Sequence, residues 1–487
     1  MTDTAQSDSQ PKETAKTQLM RDSGGSAAAS ESYAELVADL RDTFRKGHTR
    51  PLSWRRTQLE ALVAMLSDNE REFAEAMRED LGRPPMEAFG ADIGTTRTEI
   101  KHMLKHFESW AKPRKASMPI TVQPARGRVI PEPLGVALVI SPWNYPVQLL
   151  VHPMAAAIAA GNAVVAKPSE LSPATSAVLA RLVPNYVDDQ AVVLVEGAVQ
   201  ETTALLEQEF DYIFFTGSTN VGRIVMQAAA KHLTPVTLEL GGKSPTLVAS
   251  DADIEVAARR IMWGKFLNAG QTCIAPDYVL VEAPVRDRLV GKMADTLREF
   301  YGDDPRLCDD YGRIVNGRHL DRLQNLLRSS GGTVAIGGQI DATDRYIAPT
   351  VVVDPDLSAP IMQEEIFGPL LPVLTVESID EAVAFVNDRP KPLALYVFSG
   401  SSAIIEEVIE RTSSGGACVN HCVMHILPSD LPFGGVGPSG MGAYGGRAGF
   451  DTFSHLKSVL YKPQKPDPRL LYPPYTAMKS KIAHKAM

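Results

Sequence analysis

The sequence predicts an α/β protein built as two doubly wound, parallel-type lobes, and three observations carry that prediction. Beyond Pro133, short apolar runs alternate with segments long enough for helices; a second such alternation begins near Glu239; and the stretch before Pro113 keeps apolar residues at three- and four-residue spacing. Strands buried on both faces of a parallel sheet read as unbroken apolar runs, and both alternating regions have that character.

At 487 residues the chain is long enough for two or three domains with a substantial core. Its 44% hydrophobic and 22% charged residues match a globular protein, and no apolar run approaches the roughly 18 residues of a membrane-spanning helix. The net charge of -9 opposes a phosphate-binding surface, so nucleic acid is not an expected partner.

Taken in order, residues 1–33 are polar and small, with no basic segment leading into an apolar one, and are expected to be a disordered tail of a cytosolic protein. Leu36, Leu40 and Phe44, then Leu59, Leu62, Val63 and Leu66, predict a helical lead-in. Between Pro113 and Pro133 the pattern breaks, and Ile120-Thr121-Val122 with Arg128-Val129-Ile130 predicts an exposed hairpin or arm. Strands are predicted at Val136 to Ile140, Ala163 to Ala166, Ala191 to Val195 and Tyr212 to Phe215. In the second region Thr246-Leu247-Val248, Tyr278 to Val281 and Val351 to Val353 read as strands, and Ile254 to Trp263 as a helix. From Lys462 the chain is rich in Pro and Lys and is expected to be an extended tail without a membrane anchor.

Four cysteines, Cys273, Cys308, Cys418 and Cys422, are too few and too irregularly spaced for a disulfide framework, so free thiols are expected. Cys273 ends Asn268-Ala269-Gly270-Gln271-Thr272-Cys273, a turn-like context that gives a nucleophilic thiol room for approach. Glu239, in Leu238-Glu239-Leu240-Gly241-Gly242-Lys243, offers a carboxylate from a similar turn. Asn144, in a loop stiffened by Pro142 and Pro146, offers a side-chain amide that with the Cys273 N–H would hold an oxyanion. Each taken alone also suits a buried cysteine, a turn carboxylate or a self-capping Asn.

Gly217-Ser218-Thr219-Asn220-Val221-Gly222 follows a predicted strand and precedes a helical pattern, a place where backbone N–H groups receive an anion. Its spacing differs from G-x-G-x-x-G, and the same turn serves equally as a plain strand-to-helix connection. Lys167 and Glu170 follow another strand, where a doubly wound sheet binds ligands, although solvated loop charge is the simpler reading of either alone.

Together these segments resemble the NAD(P)-dependent aldehyde dehydrogenases over roughly residues 34 to 475. The resemblance is carried, in order, by Pro142-Trp143-Asn144, Lys167-Pro168-Ser169-Glu170, Phe215 to Thr219, Leu238 to Lys243, Gly270 to Cys273 and Glu364 to Pro369. The ending, Pro432 to Gly437 through Gly442, with Phe453-Ser454-His455 and Pro473-Pro474-Tyr475, is similar to the class 3 branch. That branch implies aromatic or medium- to long-chain aldehydes as substrates, and a homodimer joined through an oligomerisation arm.

The resemblance implies a nucleophilic Cys273, an oxyanion site of Asn144 and the Cys273 amide, and Glu239 as base for thioester hydrolysis. It also implies a cofactor set. Glu365 and Phe367 meet the nicotinamide ribose, Lys167 and Glu170 the adenosine ribose, and Ser218, in the Gly217 to Gly222 turn, the pyrophosphate; Trp143, Leu240 and Gly241 complete it. A carboxylate at Glu170 accepts from a free ribose hydroxyl and repels a 2′-phosphate, which favours NAD and leaves NADP open. The implied layout is a helical lead-in and NAD-binding domain over 34–238 with the arm at about 114–133, a catalytic domain over 239–430, and a return to the cofactor domain and arm over 431–487.

His421 stands where this branch more often has Asp. Cys418, His421, Cys422 and His425 match no common zinc spacing, so no metal is expected. Two other chemistries use the same thiol. A coenzyme A-acylating semialdehyde dehydrogenase has no need of Glu239, and a nicotinamide-free thiol hydrolase has no need of Lys167, Glu170 and Glu365.

Overall fold

The computed structural model describes residues 26–486, with side chains over residues 31–485. The expected polar tail therefore lies mostly outside the described residues, and residues 26–33 begin the first helix, Ser26–Arg45. Helices Leu52–Asp68, Glu70–Leu81 and Gly94–Trp110 complete the lead-in.

Eighteen strands follow in chain order. β1 is Arg114–Ala116, β2 Arg126–Pro133, β3 Val136–Ile140, β4 Ala163–Lys167, β5 Val192–Leu194, β6 Tyr212–Thr216 and β7 Val236–Glu239. β8 is Pro245–Val248, β9 Tyr278–Glu282, β10 Thr333–Ile336, β11 Ile340–Asp341, β12 Tyr346–Ile347, β13 Thr350–Val353, β14 Leu370–Val376, β15 Ala394–Phe398 and β16 Gly416–Val419. β17 is Gly440–Met441 and β18 Ser454–Tyr461.

The first large sheet runs β17-β7-β6-β3-β4-β5, parallel except for β17. Strand order reverses between β3 and β6, and such a reversal opens a crevice at the strands' carboxyl ends. The loops carrying Asn144, Lys167 and Gly217 all leave those ends. The second sheet runs β10-β13-β14-β9-β8-β15-β16, parallel except at its β10 edge. β3 displays why its apolar run is unbroken: Ala137 and Val139 join the large core, while Val136, Leu138 and Ile140 pack beneath Tyr33, Leu36 and Leu40 of the first helix. Successive side chains of a strand face opposite ways, so both faces need apolar residues.

Two expectations are corrected. Ile120–Val122 is a single 3-10 turn, and the antiparallel partner of β2 is β1, with Arg114 opposite Val129. Pro119 and Pro124 bracket that tripeptide and withhold the N–H groups a ladder needs. The terminal stretch is not extended throughout, because Ala477–Ala486 is a helix made of good helix formers such as Ala, Met and Lys. β18 pairs along β2 from Ser454 opposite Pro133 to Tyr461 opposite Arg126, giving a three-stranded arm, β1-β2-β18, separate from both large sheets.

A buried asparagine ties the C-terminal return to the first lobe. Asn162 accepts from the Gly135 N–H at 2.9 Å and donates to Ala157 O at 3.1 Å and Phe453 O at 2.9 Å. Asn162→Ala removes the side-chain partner of the Gly135 N–H and of Phe453 O, while Ala157 O keeps the N–H groups of Gly161 and Asn162, and is expected to lower stability by about 1–3 kcal/mol. A urea midpoint equal to the wild-type value would refute this.

Candidate active site

Glu239 and Asn144 are brought to the site from the ends of strands, and Cys273 from the turn that follows helix Ile254–Phe266. Glu239 closes β7, and Asn144 sits four residues beyond β3. Cys273 follows a loop that enters the left-handed region three times running, at Asn268 (φ 52°), Ala269 (φ 52°) and Gly270 (φ 75°). Only the last is glycine, and a Cβ there would stand 2.3 Å from Gly368 O. Such strain persists only where surrounding contacts impose it.

Those contacts are present. Asn268 Nδ2 donates to Asn144 O at 2.9 Å and to Gln271 O at 3.2 Å. Gln271 Nε2 donates to Asn268 O at 3.0 Å and Arg313 O at 2.9 Å, and its Oε1 accepts from the Val315 N–H at 2.9 Å. Arg83, fully buried, donates to Asn144 O, to Asn268 Oδ1 at 3.3 Å and to Asp92 Oδ2 at 2.8 Å, and its guanidinium stacks 4.6 Å from the Tyr145 ring centre. Asn144 Nδ2 donates to Gln271 O at 3.1 Å. An amide nitrogen has two hydrogens, so one remains for another acceptor.

Cys273, Glu239, Thr216, Tyr145 and Glu87 share the wall of a cavity of about 270 Å³ that is otherwise mainly apolar, with Leu149, Trp263, Ile274 and Met424 among its lining. Neither Glu239 carboxyl oxygen has a hydrogen-bond partner, and burial pushes this group well above the ordinary carboxylate range. Burial likewise pushes the Cys273 thiol to about 12, with the negative charges of Glu365 and Glu239 adding to the rise, while N–H groups of Cys273 and Ile274 partly offset it. The Cys273 thiol therefore holds its proton at neutral pH, and burial favours the neutral form of the Glu239 carboxyl.

A groove of about 430 Å³ lined by Thr219, Gly241, Lys243, Glu365, Arg389 and Lys391 contains part of the expected cofactor set. Gly241 lies so close to Glu365 that a Cβ would come within 1.9 Å of its Oε2. The Glu365 loop is pinned by Lys243, which pairs with Asp277 and donates to Ile361 O at 2.8 Å and Glu364 O at 2.9 Å, and by Arg322, which donates to Glu365 O at 3.2 Å. Phe367 is held at φ 48°, edge-on to Trp143 with ring centres 5.4 Å apart. Ser218 caps helix Thr219–Ala230, its Oγ accepting from the Val221 N–H at 3.4 Å. At the end of β4, Lys167 Nζ lies 3.7 Å from Glu170 Oε2; Lys167 is buried and Glu170 exposed.

The aldehyde dehydrogenase family profile matches residues 21–459. The chain belongs to the aldehyde dehydrogenase family. Aldehyde dehydrogenase family 3 member A2 of Rattus norvegicus is 50% identical over 445 residues, 91% of this chain and 92% of that protein. The "dimeric NADP-preferring" aldehyde dehydrogenase of the same species is 48% identical over 431 residues, 88% of this chain and 95% of that one. Among solved structures, the substrate-bound AldH of Staphylococcus aureus superposes with a TM-score of 0.90 at 44% identity, covering 92% of this chain and 98% of that one. The protein is thus an NAD(P)-dependent aldehyde dehydrogenase of the class 3 type, oxidising aldehydes to carboxylic acids.

A nicotinamide dinucleotide fits this aldehyde dehydrogenase on its own geometry. The bare Gly241 surface lies flush against Glu365, whose Oε1 is buried without a partner, and the Ser218-capped helix start supplies N–H groups for a pyrophosphate. Sequence reasoning missed Arg83, Asp92 and Glu87, all on the lead-in. Glu87 accepts from the Asn268 N–H at 2.9 Å, and burial raises it to about 7. The oppositely charged Arg83 and Asp92, nine residues apart, were the available signal. In the Cys418 region, His421 Nδ1 accepts from the Cys422 N–H at 2.9 Å, and His425 lies between the Tyr396 and Phe433 rings.

Two outcomes are expected in this aldehyde dehydrogenase. Arg83→Met strands the buried Asp92 carboxylate and releases Asn144 O, lowering stability by about 3–5 kcal/mol in chemical denaturation; a loss under 1 kcal/mol would contradict the buried pair. Glu365 is itself raised to about 8, first by burial and then by Asp277, so above that pH it bears the charge that opposes the Cys273 thiolate. There, Glu365→Gln should speed alkylation of Cys273 by iodoacetamide severalfold, followed by mass spectrometry at that residue; an unchanged rate would count against the charge coupling.

Proposed function

We propose that Cys273 is the nucleophile, that Asn144 with the Cys273 N–H holds the oxyanion, and that Glu239 is the general base. The observation carrying this reading is that Cys273 and Glu239 face one apolar cavity, the carboxyl with both oxygens unpartnered. The Cys273 thiol loses its proton to solvent water and Sγ bonds to the aldehyde carbon as the C=O pair moves to oxygen, forming a thiohemiacetal oxyanion that receives the free Asn144 N–H and the Cys273 N–H. A nicotinamide held beside Glu365 and Phe367 would supply the oxidation by accepting the hydride of that carbon, so that Cys273 carries the acyl group as a thioester. The Glu239 carboxylate then takes a proton from a water molecule, whose oxygen bonds to the thioester carbon as the C–S bond breaks. The acid leaves and the thiol is restored.

For the cofactor, Glu365 and Phe367 hold the nicotinamide ribose with Trp143, Leu240 and Gly241 around it; Ser218, Gly217 and Gly222 receive the pyrophosphate, and Lys167 with Glu170 the adenosine ribose. Glu170 favours NAD over NADP. The apolar cavity walls suit aromatic or medium- to long-chain aldehydes. Residues 34–238 with 431–487 form the cofactor lobe and arm, and 239–430 the catalytic lobe. The protein acts as a homodimer: Leu456, Leu460 and Tyr461 stand exposed on β18 of the arm, as apolar residues awaiting a second copy would. Its setting is the cytosol, in keeping with four unpaired cysteines and with the absence, among the described residues, of any helix long and apolar enough to cross a membrane.

The experiment is rapid mixing of enzyme, NAD and a medium-chain aldehyde. Cys273→Ala abolishes NADH formation while retaining NAD binding; turnover in that variant would sink the mechanism. Glu239→Gln gives one burst of NADH followed by a steady state slowed about 10²–10⁴-fold. Because burial holds the Cys273 thiol protonated at neutral pH and raises the Glu239 carboxyl, wild-type turnover rises with pH on the alkaline side.

A further inference from the structure

Beside the cavity that reaches Cys273 lies a second, of about 370 Å³. The two share Gln148, Ile426, Phe433 and Tyr444 in their walls, so they adjoin. Their chemistry differs. The first is mainly apolar, whereas the second adds Arg97, Glu99 and His152.

Most polar groups in the second cavity are already engaged. Arg97 Nη1 donates to Glu70 Oε2 at 3.2 Å, and its guanidinium lies 5.4 Å from the Phe89 ring centre. Glu99 Oε1 accepts from the Gly446 N–H at 2.6 Å. The Thr98 hydroxyl donates to Gly94 O at 2.8 Å, and the Thr95 hydroxyl to Gly90 O. His152 is the exception. It stands one helical turn beyond Gln148 on helix Gln148–Ala160, 7% exposed, with Nε2 making no hydrogen bond and held only by a long ion pair, 3.6 Å from Glu99 Oε1, that helps keep the Glu99 carboxyl below its ordinary range. The Tyr444 ring, 4.8 Å away centre to centre, fixes its imidazole at the junction.

We propose that the second cavity is a polar subsite of the aldehyde site, in which His152 Nε2 hydrogen-bonds a hydroxyl group remote from the carbonyl of a bifunctional aldehyde. A hydroxyl suits either tautomer, since it both donates and accepts. A cation or an anion gains less, because Glu99 and Arg97 already have opposite or dipolar partners. A buried nitrogen left unpaired carries a penalty that a hydroxyl-bearing substrate removes, so discrimination follows from filling the site.

The inference rests on the aldehyde chemistry proposed at Cys273, and the test separates the two. kcat/KM is measured with saturating NAD for octanal, decanal and dodecanal and for the ω-hydroxy counterpart of each. In the wild type the hydroxyaldehyde is favoured by about tenfold at one chain length at least, the worth of one good hydrogen bond. His152→Leu brings that ratio to near one, and His152→Gln, which keeps a donor and an acceptor, preserves it. A wild-type ratio at or below one for every length overturns the subsite without any variant, and so does a ratio unaltered by His152→Leu. Failure of all six aldehydes to react would instead refute the chemistry at Cys273.

Discussion

The Arg83 guanidinium is the contact on which the geometry of the cleft depends. It is fully buried and touches three separate pieces of chain: the Asp92 carboxylate at the head of the lead-in helix, the main-chain oxygen of Asn144 beyond β3, and the Asn268 side chain in the second lobe. Asp92 also accepts from the Gln148 N–H, which fixes the start of the helix behind the Asn144 loop. Burying a cation and a carboxylate together brings little net stability, because desolvation consumes most of the attraction. What such a pair does supply is registry. The loops bearing Asn144 and Cys273 come from different sheets, and one cation sets them against each other.

The same dry surroundings govern reactivity. An apolar cavity attracts an apolar aldehyde, and it also disfavours charge, so it keeps the proton on the Cys273 thiol and raises the Glu239 carboxyl well above the ordinary carboxylate range. A thiolate is what oxidants attack, and a neutral thiol in a narrow apolar chamber is comparatively inert. The chemistry thus waits for a proton to leave.

Much of the architecture could be read from residue patterns, for a definite reason. β3, β4 and β6 are buried on both faces, and that condition writes an apolar run into the sequence. The Ile120–Val122 turn and the Ala477–Ala486 helix were misread because short apolar or Pro-flanked pieces have no period long enough to separate strand from turn or helix. Within the site, the turns around Cys273, Glu239 and Asn144 marked them as candidates with equally plain alternatives, and only the ordered family motifs gave them expected roles. Arg83, Asp92 and Glu87 were not legible, since their partners lie at sequence separations that no local pattern records. The left-handed run at Asn268 and Ala269 was equally hidden: neither is glycine, and tertiary contacts alone hold them there.

β17 carries a consequence of a different kind. Its two residues, Gly440 and Met441, pair antiparallel with Glu239 and Leu238, and Ser439 O accepts from the Leu240 N–H at 3.1 Å. The strand that ends in the carboxyl is thus left with a bare edge until a segment two hundred residues further along the chain has been made. As a polypeptide emerges from the ribosome, the first lobe's central strands can collapse early, yet the pocket around Glu239 is closed by one of the last pieces to arrive. The edge of the strand that carries Glu239 is therefore completed only after Gly440 and Met441 have been made, and a nascent chain shorter than that has no finished site in which to react.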